Sequence, residues 1–570
     1  MGYAILACEA LAVGWFAFAL LGVLAGRTRS SVGRALIDAA TWIVVPAPWL
    51  FLVAAGAFLR TRFTVPQFWW LVGLTVIFLI GSVVVWVRGR SAGRASRASH
   101  SAELAGANAW SPAWLALGLA IAVLLLNSTF ASLDAAVRQH LSDVRTEADT
   151  LAASVAPRPL ADHENAAAIY IQLGDYFGRD SGPFIWPTYW SEAVQMPVVG
   201  YGASAPSATP APFDYSRQDL TEFLATQRGA RQLVLTAAAR PGCYFDRDYS
   251  RPRYDMRLPE IQDLRQSAFL LAVDARNRST RGDTAGALEN IQALYRMADH
   301  AATDPLIVCV LVGIAIDRLA TDVLQHVLQE NPPTSDQLQG VVISPGVSHA
   351  ERLDRAMRME EAASLGVFSD FDQRGAAILI NEHADEIAVL GKSALYRVFI
   401  LPGDLAGYRR FQRAVGGTSV ARSYRELQIH RQEARKMIDR ERAGPVTMLL
   451  TPALEPAMAA VAKGESARRL AVVGLAMYRY RADHGQFPDA LPALSPDYLP
   501  IIPRDPFDGQ PLRLRIVDGV HTVYSVGVDE VDNGGAPPSD HELKGDLLFE
   551  CKLPKVDSQP EPAAEPEKAE

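Results

Sequence analysis

Cysteine is scarce in this chain. Four residues among 570, Cys8, Cys243, Cys309 and Cys551, cannot make a disulfide framework for a protein of this size, and no CxxC or Cys/His spacing suggests zinc. Cys243 with Cys309 is the pair to test for a bridge if their domain is oxidised. An excess of basic residues is missing too. The net charge of −8 and a pI near 5.8 argue against a nucleic-acid partner, which selects for a basic face. His163, His300, His349, His383 and His430 make no recognised i, i+3 or i, i+4 metal pair, and Asn381-Glu382-His383-Ala384-Asp385-Glu386 is not HExxH. Tyr201-Gly-Ala-Ser204 lacks the second glycine of a nucleophile elbow, because Pro206 stands in its place. What is left for an enzyme is Asp246 and Asp248 beside Arg247 and Arg251, a grouping that usually forms surface ion pairs.

What is abundant is apolar sequence, and it is concentrated at the start. Ala4 to Ala25, Ala39 to Leu59, Phe68 to Val87 and Pro112 to Phe130 are apolar runs of the length needed to cross a hydrocarbon core about 30 Å thick. Trp42, Trp69, Trp70, Trp86, Trp110 and Trp114 lie mostly near the ends of these runs, as interfacial anchors do. Arginines gather in the first loop (Arg27, Arg29, Arg34) and the third (Arg88, Arg90, Arg94, Arg97), which places those loops in the cytoplasm and everything after about Ala131 outside. Glu9 and Asp38 are acids within or beside the apolar runs, where such residues are either functional or simply hydrated at the membrane surface. These patterns predict a mostly α membrane protein of the bacterial inner membrane, multi-pass, in contact with lipid. Residues 1–131 would be a four-helix transmembrane region, 132–455 an α-helical extracytoplasmic domain, 456–551 a small α+β module and 552–570 a disordered acidic tail rich in Pro and Glu.

The helical domain is legible in its periodicity. Ser132 to Ser154 continues the fourth run as a helix that Pro157 and Pro159 end, and Gly178 to Tyr215 has no period and reads as a long loop. Ile261, Leu264, Ala268, Leu271 and Ala275 share one helical face; Gly282-Asp283 breaks the chain; Leu288, Ile291, Leu294, Tyr295 and Ala298 resume it. The hairpin has the outline of a tetratricopeptide unit, but no repeat of that length recurs, which favours a packed bundle. Asp304-Pro305 predicts the cap and first turn of a third helix through about Gln329. Ser348 with Glu351 forms a capping-box pattern. Further helices are predicted over Ala376 to Val398 and Arg422 to Arg442.

The C-terminal module is the most specific stretch. A helix from about Gly464 to Asp483 ends at Gly485 and Pro488, and two strands, Arg513 to Val517 and His521 to Val526, flank Asp518-Gly519, a type I′ hairpin signal. Ala476-Met-Tyr-Arg-Tyr-Arg-Ala-Asp-His-Gly-Gln-Phe-Pro488, Asp505-Pro506-Phe507 with Gly509, and Tyr524-Ser-Val-Gly-Val-Asp529 followed by Gly534-Gly535 resemble the head of the G-type (major) pseudopilin of type II secretion systems. The likeness covers roughly 90 residues on the length scale of a small domain. It lacks the prepilin start and the long N-terminal helix of that family. The whole layout also looks like uncharacterised bacterial envelope proteins.

In the pseudopilin family the loop after the last strand binds calcium. The resemblance therefore implies a calcium site built from Ser525, Asp529, Asp532, Asn533 and Asp546, with Asp540 and Glu542 as substitutes; the alternative is a solvated acidic turn. The chain reads as a non-enzymatic structural or interaction protein anchored in the envelope, with a protein partner in a secretion or pilus-type assembly and no nucleic acid. The alternatives are an extracytoplasmic hydrolase and a membrane sensor or transporter.

Overall fold

A computed structural model describes residues 112–177, 186–194, 213–250, 256–343, 347–370, 394–415, 424, 444–450, 454–536 and 545–553. Its helices are α1 (Pro112–Val155), α2 (Ala167–Tyr176), α3 (Trp190–Val194), α4 (Gln218–Thr226), α5 (Arg228–Ala238), α6 (Glu260–Thr280) and α7 (Thr284–Ala301). They continue with α8 (Ile307–Glu330), α9 (Ser335–Gln339), α10 (His349–Ser369), α11 (Ala394–Phe399), α12 (Leu401–Val415), α13 (Pro445–Leu450) and α14 (Leu454–His484). One antiparallel sheet follows, ordered β1 (Arg513–Val517), β2 (Val520–Ser525), β3 (Leu547–Cys551).

The expected four-helix transmembrane region is corrected by this architecture. Among the described residues no helix is long and apolar enough to cross a membrane. Helix α8 shows why a long apolar helix need not be a span: Asp317, Arg318 and Asp322 interrupt it, and its Val310, Ile314, Leu319, Val323 and Leu324 are buried in a protein core. The first three expected spans, Ala4 to Ala25, Ala39 to Leu59 and Phe68 to Val87, lie outside the described residues, as do Cys8, Glu9 and Asp38. Of the fourth, Pro112 to Phe130, the described part is a helical backbone that runs on without a break to Val155. The helices expected over 376–398 and 422–442 fall mostly outside the described residues as well.

The chain divides into two compact units, residues 1–145, 368–411 and 435–448 in one and 146–367, 412–434 and 449–570 in the other. In the first, Arg397 and Arg138 both pair with Asp134, at 2.8 and 2.9 Å. Asp404 caps α13 from far along the chain, its carboxylate accepting from Val446 N at 2.9 Å and Thr447 N at 3.1 Å.

The second unit is organised by α6, α7, α8 and α14. The hairpin of α6 and α7 forms where the periodicity places it: Gly282 takes a positive φ of 79°, and Asp283 caps α7 by accepting from Gly286 N at 3.0 Å. Gly313 on α8 lets that helix lie against α7, since a Cβ there would meet Ala298 O and Ala302. Leu264, Leu271, Ile291, Leu294, Leu324 and Leu328 are fully buried together, and the same core continues into Leu470, Val473 and Met477 of α14 and Val523 and Phe549 of the sheet. Helix α14 thus serves bundle and sheet at once. Cys243, Cys309 and Cys551 are buried free thiols.

The type I′ turn is as expected, with Asp518 and Gly519 at φ 50° and 73°. The third strand, β3, was not anticipated, and it sits against α14 at a single tolerance: Gly474 faces the Phe549 ring, which occupies the space a Cβ would take. Gly474→Ala should therefore cost about 1–3 kcal/mol by overpacking, against the small gain a helix-interior Gly→Ala change otherwise brings. A thermal melt reads the sign directly.

Candidate functional site

The acidic loop is closed by backbone. Gly527, at φ 72°, lies so close to Gly545 O that a side chain would collide with it, which draws the two ends of the loop together. Asp546 Oδ2 accepts from Gly535 N at 2.6 Å and Oδ1 from Asn533 N at 3.3 Å. Asp532 Oδ1 accepts from Gly534 N at 2.9 Å, and its Oδ2 meets Arg513 Nε at 3.0 Å. Asp529 turns on its own segment, accepting from Val531 N at 3.3 Å. Ser525 does not face these acids; its hydroxyl donates to Asp505 Oδ1 at 2.9 Å.

Asp505 is the organising residue of this module, and the calcium pattern passed it over. Its carboxylate also accepts from Phe507 N at 2.9 Å and Val526 N at 2.8 Å, tying the 505–509 turn to the end of β2. Burial raises the Asp505 carboxyl above its usual value despite those bonds, and burial likewise raises Asp546. The Asp-Pro-Phe-Asp-Gly run was the available signal, being an Asx-turn sequence.

As placed, the five predicted ligands do not form a calcium cage. Asp532, Asn533 and Asp546 come together, but both Asp546 oxygens and Asp532 Oδ1 accept from backbone N–H groups, Asn533 Nδ2 donates to Val531 O, and the Arg513 guanidinium lies between Asp532 and Asp508, 2.6 Å from the latter. Among the described residues no three His, Cys, Asp or Glu groups converge as a metal site. Asp540 and Glu542 lie outside the described residues. Calcium at about 10 mM, which would saturate a site of extracellular affinity and stabilise it by roughly 1–3 kcal/mol, is expected to leave the melting temperature where EDTA leaves it. An upward shift with calcium would show that the loop opens around an ion.

A second set of charges is sealed inside the helices. Arg468 of α14 donates through Nε to both Asp317 oxygens at 3.0 Å and through Nη2 to Asp317 at 2.8 Å and Asp299 at 3.1 Å. His349 Nε2 lies 3.0 Å from Asp317 Oδ2, and Arg352 holds Asp299 at 2.8 Å. Burial pushes the Asp317 carboxyl upward, but the charges of Arg468 and His349 outweigh it and hold the group below the usual carboxylate range. Asp317 and His349 are fully buried, so a substrate has no approach to the pair.

Asp246 and Asp248 are not drawn together by Arg247. Arg247 turns inward to Glu260 and Asp304 rather than to Asp246 or Asp248, and Tyr249 donates to Asp304 at 2.5 Å. Asp248 accepts from Ser250, while Arg251 and Ser204 lie outside the described residues.

A cleft of about 400 Å³ opens to solvent between α5, α7 and α9. Leu235, Ala238, Leu288, Ala293 and Val341 give it an apolar floor; Glu289, Arg296 and Asp336 stand at its rim. Its far wall is fixed by paired bonds: Gln292 exchanges two hydrogen bonds with the Val342 backbone, at 2.9 and 2.8 Å, and Arg479 donates to Leu338 O and Val341 O at 2.8 and 2.7 Å. No family model, curated protein or solved structure matches this chain.

Proposed function

We propose that this chain is an interaction protein that presents the α5–α7–α9 cleft to the apolar ridge of a folded partner. The observation that supports it is the cleft's built wall, because groups already bound to one another lose little freedom when a partner docks. The mixed rim adds selectivity more than affinity. The pseudopilin-like C-terminal module favours a partner from a secretion or pilus-type assembly.

Ala239 and Ala285 line the cleft and are exposed, so tryptophan at either position fills it without entering the core. The full chain and its Ala239→Trp and Ala285→Trp variants are compared by affinity purification, mass spectrometry and melting temperature. A partner kept by the native chain and lost from both variants at equal stability is the expected result. An unchanged set of co-purifying proteins would reject the cleft as the docking surface. A truncation at Gly464 would strip Leu470, Val473 and Met477 from the core, so point substitutions in the cleft are used.

A further inference from the structure

The two edges of the small sheet are treated differently. At β3 the outward backbone is capped by side chains from α8: Gln325 Oε1 accepts from Glu550 N at 2.9 Å, and Gln329 Nε2 donates to Glu550 O at 2.7 Å. At β1 the alternation is fixed by the two-residue turn, whose closing pair is Val517 with Val520, so that Leu514 and Ile516 direct N–H and C=O away from β2. Leu512 N, two residues earlier on the same edge, donates to Pro503 O at 3.1 Å, and there the pairing stops. Among the described residues nothing bonds the Leu514 or Ile516 backbone on that side. Ile516 and Val517 are each 43% exposed.

Unprotected edges are ordinarily blunted by a proline, a bulge, a covering element or charge, and of these β1 has only arginines. We infer that β1 is an acceptor strand, taking an extended acidic segment of another protein by strand addition. The charge follows from its neighbours. Arg515 is exposed and its guanidinium donates to a carbonyl, Gly535 O, at 3.2 Å; Arg504, beside the same edge, likewise donates to Gly509 O at 2.8 Å. Among the described residues neither has a carboxylate against it, unlike Arg513, which is held by Asp508 and Asp532. Antiparallel self-pairing centred on Arg515 or on Leu514 sets arginine against arginine, which leaves a second copy the registers centred on Ile516 or beyond, where the turn residue Asp518 enters the pairing. This surface shares no residue with the cleft and does not rest on the reading given for it.

The test uses the full chain and two fluorescent heptapeptides, one alternating valine with glutamate and one alternating valine with lysine. Anisotropy should show binding of the glutamate peptide, weakened by salt, with slower amide exchange over residues 513–517. Ile516→Pro, which removes an outward N–H where an edge strand tolerates proline, should weaken it by about tenfold or more. Arg515→Glu replaces an exposed side chain and should reverse the preference toward the lysine peptide; it carries the test if the proline variant melts lower. Equal binding of both peptides, or native affinity in both variants, would overturn the inference. So would a concentration-dependent dimer abolished by Ile516→Pro, which would put a second copy on the edge.

Discussion

Arg468→Met is expected to cost about 3–5 kcal/mol of folding free energy, a large fraction of the whole for a domain of ordinary stability. Arg468 makes three contacts to the fully buried Asp317 and one to the partly exposed Asp299. Removing it leaves a fully buried carboxylate whose remaining hydrogen-bond partner among the described residues is His349. The penalty is that of an uncompensated buried charge, not the modest net worth of the pair. Two further outcomes identify the cause. The Asp317 carboxyl is held low in the native protein, so its stabilisation is present above the ordinary aspartate value near pH 4 and is lost as pH falls through the lower folded value. In the variant the carboxyl protonates at higher pH, and the difference between the two proteins should shrink in acid. Arg468→Met combined with Asp317→Leu removes both charges and should recover most of the loss. A urea midpoint that the single change barely moves would mean that water or a rearranged side chain reaches Asp317.

Local signals read well where neighbours were the partners, and failed where distant residues competed. Ser348 and Glu351 form the expected capping box, with Glu351 N to Ser348 Oγ and Ser348 N to Glu351 Oε2 both at 3.1 Å. The predicted cap at Asp304 did not form. Its carboxylate is taken by Arg247 and Tyr249, more than fifty residues away, and α8 begins at Ile307 with Leu306 as its N-cap residue. The stretch from 178 to 215 read as one long loop, yet Trp190–Val194 is a helix held by aromatic packing, with the Trp186 and Trp190 rings stacked at 4.4 Å. No period of 3.6 appears in so short a turn. Strand β3, Leu547–Cys551, has no turn beside it to announce a hairpin, and its pairing with β2 is a long-range choice. Of the acidic loop the residues were legible and their company was not, since the arginine and amide groups that take the carboxylates come from β1 and from turns.

The helix α7 histidine should make the protein acid-labile in a defined window. His300 is buried, with Nδ1 at 3.0 Å from the Tyr170 hydroxyl and Nε2 at 3.2 Å from Arg240 O. A carbonyl can only accept, so Nε2 carries the proton and Nδ1 accepts from Tyr170. Both bonds are satisfied by the neutral ring, and protonation would set a second N–H against a hydroxyl that donates. Burial pushes the imidazolium from 6.5 down to about 4, with the Arg240 carbonyl opposing it only in part. The sign follows from linkage: the unfolded chain binds this proton near pH 6.5 and the folded chain near 4, so stability is full above pH 6.5 and drains as pH falls between the two values. The shift corresponds to about 3 kcal/mol at the lower end. His326, beside Tyr215 and near Arg276, is likewise lowered to about 4 by burial and acts in the same window. Urea midpoints measured from pH 7 to pH 4.5 should therefore fall steeply in the native chain. His300→Gln, which keeps a donor toward Arg240 and an acceptor toward Tyr170 but has no proton to gain, should start lower and fall less. Parallel curves for the two proteins would mean that carboxylates, not this imidazole, set the acid limit.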